Sequence, residues 1–354
     1  MREIKITLGN RKSTVYTGES LSAIRRFTKP ENSVIITDAN ILNHYSAMFD
    51  DYPVIEIGTG EEIKNLSTIE FIMRKMIELR CTRNTFLVGI GGGIVSDIAG
   101  FAASIFMRGI RFGFVSTSLL SQVDASVGGK NGVNVDMTKN MAGVFAQPEF
   151  VICDHRMLGT LPHEEYVNGI AELVKTACLD DNGLYDFVQA NKEQILSMDM
   201  DTVSEAVYRC ARYKASIVES DEKENDLRRV LNLGHTIGHA IEKVKGIKHG
   251  FAVAAGMGVA LDISVSEGIT DKKISEEIRT LMEYFGLPSG IKGIINKDDI
   301  PAIMDAIESD KKREHGSVNF VLLKEPGKPF IKTVDFTALP EIIKSILSEN
   351  GGGR

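Results

Sequence analysis

Thr85-Phe86-Leu87-Val88-Gly89-Ile90-Gly91-Gly92-Gly93-Ile94-Val95-Ser96-Asp97-Ile98-Ala99-Gly100 runs from a short apolar segment through three glycines into a helical period. The first part has the length and character of a strand buried on both faces. Glycines at a strand-to-helix turn let the backbone approach a ligand, and the helix N-terminus offers free N–H groups to a pyrophosphate. The spacing is not the Gly-x-Gly-x-x-Gly fingerprint. Counted from Gly89 the last position is Ile94, and counted from Gly91 it is Ser96. A tight turn with no ligand is the alternative.

Outward from this stretch, β-branched runs alternate with helical periods. Ser33–Thr37 reads as a strand ending at Asp38-Ala39-Asn40, and Val54–Ile57 and Phe112–Thr117 as two more. Ser67–Leu79 reads as a helix, with Ile69, Ile72, Met73 and Met76 on one side. The alternation predicts a mainly parallel sheet covered on both faces. Asp38 and Asn40, at the carboxyl end of that sheet, could meet a ribose or a nicotinamide edge. Gln122–Asn134 is polar and lacks apolar periodicity, so it reads as a loop. A nucleotide P-loop is excluded, because Asp124 and Asn131 stand where Gly and Ser or Thr are required. Lys130, Lys139 and Asn140 could still bind an anion, and a solvated loop is the bland alternative.

After Pro162 the pattern is helical to about residue 310. In Leu231-Asn232-Leu233-Gly234-His235-Thr236-Ile237-Gly238-His239-Ala240-Ile241-Glu242 two histidines stand four apart, on one helix face. Counted on a single helix, Arg228, Asn232, His235, His239 and Glu242 share that face. Leu233, Ile237, Ala240 and Val244 form a separate apolar face. His249 follows, where a turn could fold it back. Thr236 after the first histidine rules out the zinc-protease motif, which needs Glu there. Glu172 and Lys175, three apart in an apolar helix, are either a surface ion pair or a carboxylate ligand beside the histidines, a donor set that suits zinc. A helix near Val203–Glu222 carries Lys214. Asp310-Lys311-Lys312 precedes a hairpin of Val318–Leu323 with Phe330–Val334, then a last helix, Leu339–Leu347.

The 354 residues are 43% hydrophobic and 25% charged, ordinary for a globular protein of two domains. The net charge of -7 argues against an extended nucleic-acid surface but allows a local basic pocket. No apolar run reaches the ~20 residues of a membrane helix, and Met1–Lys5 has no signal-peptide core. Four scattered cysteines without Cys-x-x-Cys fit a reduced, cytoplasmic protein. Gly351–Arg354 is expected to be disordered.

Several motifs occur in an order that resembles the 3-dehydroquinate synthase family, from Thr37-Asp38-Ala39-Asn40 to Asp310-Lys311-Lys312. They are Gly91-Gly92-Gly93 with Asp97, Met107-Arg108-Gly109, Gln122-Val123-Asp124 through Gly129-Lys130, Lys139-Asn140, Ala171-Glu172 and Leu231 to His239. The wider superfamily includes other sugar-phosphate cyclases and iron-type alcohol and glycerol dehydrogenases. The resemblance implies an α/β NAD-binding domain over 1–160, a mostly helical metal- and substrate-binding domain over 161–354, and an active site in the cleft between them. It implies one divalent metal, Zn or Co, on Glu172, His235 and His249. NAD would meet Asp38, Asn40, Glu61, Lys64, Gly92, Gly93, Asp97, Thr117, Ser118, Asp124, Lys139, Thr160 and Leu161. The substrate, an anionic sugar phosphate, would meet Lys130, Asn140, Lys175, Lys214, Arg228, Asn232, His239 and Lys311. A homodimer is implied, with Arg108 reaching into the partner's site.

The implied reaction converts 3-deoxy-D-arabino-heptulosonate 7-phosphate (DAHP) to 3-dehydroquinate and phosphate by transient oxidation, elimination, re-reduction and aldol closure. An aminodehydroquinate-type cyclase and an NAD- and metal-dependent polyol dehydrogenase are the rival enzymes; a non-catalytic zinc scaffold is the rival outside enzymes. Four places depart from the family pattern: Phe251 in place of Glu, Thr138 and Asp226 each in place of glycine, and Ser116-Thr117-Ser118 in place of Pro-Thr-Thr. None removes an implied metal or phosphate ligand, but Phe251 stands where an outer carboxylate is usual.

Overall fold

A computed structural model describes residues 1–136, 138–310 and 316–348. The strands are β1 Arg2–Leu8, β2 Arg11–Thr17, β3 Ser33–Asp38, β4 Val54–Ile57, β5 Phe86–Gly91, β6 Phe112–Ser116, β7 Lys130–Val135, β8 Thr138–Phe145, β9 Phe150–Cys153, β10 Ser317–Leu323 and β11 Pro329–Asp335. The helices are α1 Ala39–Tyr45, α2 Leu66–Glu78, α3 Gly93–Ile105, α4 His163–Leu179, α5 Leu184–Ala190, α6 Lys192–Leu196, α7 Met200–Ser220, α8 His235–Lys245, α9 His249–Ser266, α10 Lys272–Tyr284, α11 Ile300–Asp310 and α12 Leu339–Ser348.

The chain divides into two units: Met1–Tyr166 with Val203–Lys223, and Val167–Thr202 with Glu224–Arg354. A single cut after residue 160 does not describe this division, because most of α7 belongs with the first unit.

In the first unit a seven-stranded sheet runs β1-β2-β9-β6-β5-β3-β4. Only the β1–β2 hairpin is antiparallel; every other pairing is parallel. Ile90, Val115 and Ile152 lie in register across three strands, and all are fully buried. Apolar runs without alternation are what a sheet covered on both faces demands. The order reverses at β3, with β4 on one side and β5 on the other. The carboxyl ends of β3 and β5 therefore carry Asp38 and the glycine turn side by side, where open α/β sheets bind ligands.

Gln122–Asn134, expected as a loop, is largely structured. Ser121–Ala125 is a π-helical turn, and Lys130–Val135 is a strand paired antiparallel with β8. Gly132 faces Gly143, and a Cβ on either would lie within 3 Å of the opposite backbone carbonyl. Asn131 donates from its side-chain amide to the carbonyls of Gly129 and Ala146. Close backbone approach and amide bonding hold this hairpin, so it carries no alternating pattern to read.

In the second unit α8 and α9 pack through glycines. A Cβ on Gly256 would stand 2.0 Å from the Gly234 carbonyl oxygen. Leu227–Asn232 is a 3-10 turn, and Gly234, at φ +79, separates it from α8. The continuous face from Arg228 to Glu242 is thus not one helix; only His235, His239 and Glu242 share α8. α9 is apolar and long enough to cross a membrane, but it is a core helix, buried from Ala252 to Leu261.

Candidate metal centre and cofactor surface

Three helices each bring one donor to the same point. Glu172 lies mid-way along α4, His235 opens α8 and His249 opens α9. One donor atom from each lies within 4.8 Å of the others. Nε2 of His235 is 3.7 Å, and Nε2 of His249 3.4 Å, from Oε1 of Glu172. Gly250 permits this convergence: a Cβ there would sit 2.0 Å from the Asn168 carbonyl oxygen, one turn before Glu172. The Asn168 side chain also accepts from the Gly250 N–H at 2.6 Å, tying α9 to α4 beside His249.

The donors match a divalent cation in chemistry as well as in position. Neither carboxylate oxygen of Glu172 has a partner aligned for a hydrogen bond. Lys175 Nζ lies 2.5 Å from its Oε2, and both side chains are buried. Burial opposes charge on Glu172, but the Lys175 ammonium and the two imidazoles hold its carboxyl well below the usual carboxylate range. Burial, with Lys175 nearby, keeps His235 well below an ordinary histidine, so it is the neutral imidazole that metals bind. His249 goes the other way: burial is outweighed by Glu172 and Glu242, which raise it to about 9. A cation bound there displaces that proton.

The second nitrogens are also engaged. His235 Nδ1 is 3.1 Å from the Leu233 carbonyl oxygen and His249 Nδ1 is 3.2 Å from Glu242 Oε2. His239 lies outside the donor group, although its ring centroid is 5.1 Å from that of His235 and 5.8 Å from that of His249. Arg228 is buried. Asn232 donates to Glu224 Oε1 at 2.6 Å. Sequence reading missed Glu224, which sits at φ +60 in an irregular segment and offers no periodic signal. Lys311 lies outside the described residues, as does Gly351–Arg354.

In the first unit Gly92 caps α3, and a Cβ on it would stand 3.2 Å from the Ser118 hydroxyl. The Thr117 N–H donates to the Gly91 carbonyl at 3.0 Å. Asp38 caps α1 by accepting from the Ile41 N–H, and burial raises its carboxyl. Asn40, on α1, is exposed. Lys64 Nζ lies 2.5 Å from Asp97 Oδ2; burial raises Asp97 despite that partner. Glu61 accepts from the Asn134 side chain at 2.8 Å and lies 3.9 Å from Lys139 Nζ. Asn134 in turn accepts from the Asn140 N–H. Thr160 bonds the Tyr45 hydroxyl of α1 at 2.8 Å, and Leu161 follows it.

Lys214, expected at a substrate, lies against Asp124: its Nζ is 2.8 Å from both the carboxylate and the backbone carbonyl of that residue. Lys130 is exposed on β7. Arg108 is exposed at φ +71 between Met107 and Gly109, both also at positive φ.

Two family models match this chain, 3-dehydroquinate synthase N-terminal over residues 54–168 and 3-dehydroquinate synthase C-terminal over 169–313. The chain belongs to the 3-dehydroquinate synthase family. The 3-dehydroquinate synthase of Alkaliphilus metalliredigens (strain QYMF) is 35% identical over 338 residues, covering 92% of this chain and 94% of the relative. That of Geotalea uraniireducens (strain Rf4) is 42% identical over 283 residues, covering 79% and 78%. A 2-deoxy-scyllo-inosose synthase solved with carbaglucose-6-phosphate, NAD+ and Co2+ is 27% identical, with a TM-score of 0.86 over 97% of this chain and all of that one.

Proposed function

We propose that this chain is a 3-dehydroquinate synthase that converts DAHP to 3-dehydroquinate and phosphate, using NAD and one divalent cation, Zn or Co. The observation that carries this reading is the convergence of Glu172, His235 and His249, two of them at helix starts, in a chain matched by both halves of that family. A three-residue set leaves coordination positions open, as a catalytic cation requires and a structural zinc does not. When bound, NAD takes and returns a hydride and the cation acts as a Lewis acid toward the oxygen on the oxidised carbon.

This chain's own residues then bind, orient and move protons. Glu172 and Lys175 form a pair whose desolvation is costly, so its burial suits a task rather than stability. Asp38 would accept from a ribose hydroxyl, and the N–H groups at Gly92 and Gly93 would receive the pyrophosphate. Asn40, Glu61, Lys64, Asp97, Thr117, Ser118, Asp124, Lys139, Thr160 and Leu161 complete the proposed cofactor surface.

Arg228 and Lys214 would hold the substrate carboxylate, with the planar guanidinium suited to two-point contact. Lys130, Asn140, His239 and Lys311 would bind the leaving phosphate by charge-assisted hydrogen bonds. Lys175 and Asn232 would hold hydroxyls, and the departing phosphate would act as the base, taking the proton lost from the carbon beside the ketone as its own C–O bond breaks. Arg108 would act in the partner's site of a cytoplasmic homodimer.

Phosphate release from DAHP, followed with and without a chelator, tests the reading. We expect chelator-sensitive release with no net NADH. Accumulating NADH, or undiminished release after metal removal, would overturn it. A polyol dehydrogenase would make NADH and leave the cationic set unused.

A further inference from the structure

An imidazole has two nitrogens and, when neutral, one proton, so whatever accepts at one nitrogen decides which lone pair the other presents. His249 is bracketed by carboxylates: Oε1 of Glu172 lies 3.4 Å from its Nε2, and Oε2 of Glu242 lies 3.2 Å from its Nδ1. Both acids are largely shielded from solvent, Glu172 fully and Glu242 to 12% side-chain exposure. Their placement follows from chain geometry. Glu242 stands two helical turns after His235, on the same face of α8. The chain then reverses through Gly246, at φ +65, and α9 opens on His249. His235 has a neutral outer acceptor, the Leu233 carbonyl. Phe251, next but one in α9, has no acceptor to offer.

We propose that Glu242 is a positioning residue of the metal centre: its carboxylate accepts the Nδ1–H of His249 and so presents the Nε2 lone pair to a cation shared with Glu172 and His235. A carboxylate behind a ligating imidazole fixes its ring and raises its basicity. This inference rests on the reading of those three residues as ligands.

The experiment titrates metal-free protein with Co2+ against a chromophoric chelator. We expect Glu242→Gln to weaken Co2+ binding roughly 10- to 100-fold, with the far-UV circular dichroism of the metal-free protein unchanged. Lys243→Gln, on the neighbouring exposed position, leaves both unchanged. In the unaltered zinc-loaded protein, 15N-histidine spectra should show the His249 proton on Nδ1; this measurement stands even where the Glu242 variant fails to fold. Unchanged Co2+ affinity in Glu242→Gln, or a proton on Nε2 of His249, would overturn the role of Glu242. Absence of stoichiometric Co2+ in the unaltered protein is a different failure, since it removes the ligand reading itself.

Discussion

His235 and His239 stand four residues apart and differ in what their loss should do. His235→Ala removes one of three donors, so bound metal and phosphate release should disappear together; full metal content, read by elemental analysis, would take His235 out of the ligand set. His239 lies beside that set but outside it. His239→Ala should retain metal and lose phosphate release by roughly 100-fold or more, the scale of a lost acid–base or phosphate contact. A turnover number like that of the unaltered enzyme would contradict this assignment. Sequence spacing put both rings on one helix face but could not choose between them. The choice is made by His249, which arrives from a different helix, and by Glu172 from a third. Periodicity is blind to contacts between helices. Glu242 was legible as a member of the His235 face, but its contact with His249 was not.

At the scale of elements, the glycines of α8 and α9 set how near the donors can come. Gly256→Ala would push a methyl group against the Gly234 carbonyl. Overpacking of this kind costs about 1–3 kcal/mol, and chemical denaturation of the metal-free protein should show that loss. A midpoint equal to that of the unaltered chain would mean that the helices can move apart freely. The strands β3, β5 and β6 were plain in the sequence because burial on both faces leaves unbroken apolar runs. The β7–β8 hairpin was hidden, because Gly132 against Gly143 and the Asn131 amide replace side-chain alternation. The break before α8 was hidden as well. Apolar spacing continues from Leu233 to Ile237, yet Gly234 takes a left-handed conformation and ends the register with Arg228.

For the molecule as a whole, acid should weaken the sheet-bearing unit through one buried side chain. His155 Nδ1 lies 2.8 Å from Gln122 Oε1, and burial lowers the ring from 6.5 to about 4. In the unfolded chain the same ring takes up its proton near pH 6.5. Its stability contribution is therefore intact above pH 6.5 and declines as pH falls toward about 4, by about 3 kcal/mol at most. Urea midpoints at pH 7 and pH 5 should differ less in His155→Gln than in the unaltered protein. Equal slopes would remove His155 as the cause. Two units were legible from chain length, but the return of α7 to the first unit was not. The buried apolar face of α7, Val207, Cys210, Ala211 and Val218 among it, goes with that return, and long-range polar contacts add to it, such as Arg11 with Glu222 at 2.7 Å and Lys214 with Asp124 at 2.8 Å.

The same return bears on how the chain tolerates being cut. Asp181, Asn182 and Gly183 form an exposed stretch between α4 and α5, open to a protease. After a nick there, the downstream piece still contributes most of α7 to the unit that the upstream piece builds. The two pieces should therefore co-elute in native buffer and part only in denaturant, and a gene split at this point should yield halves that find each other.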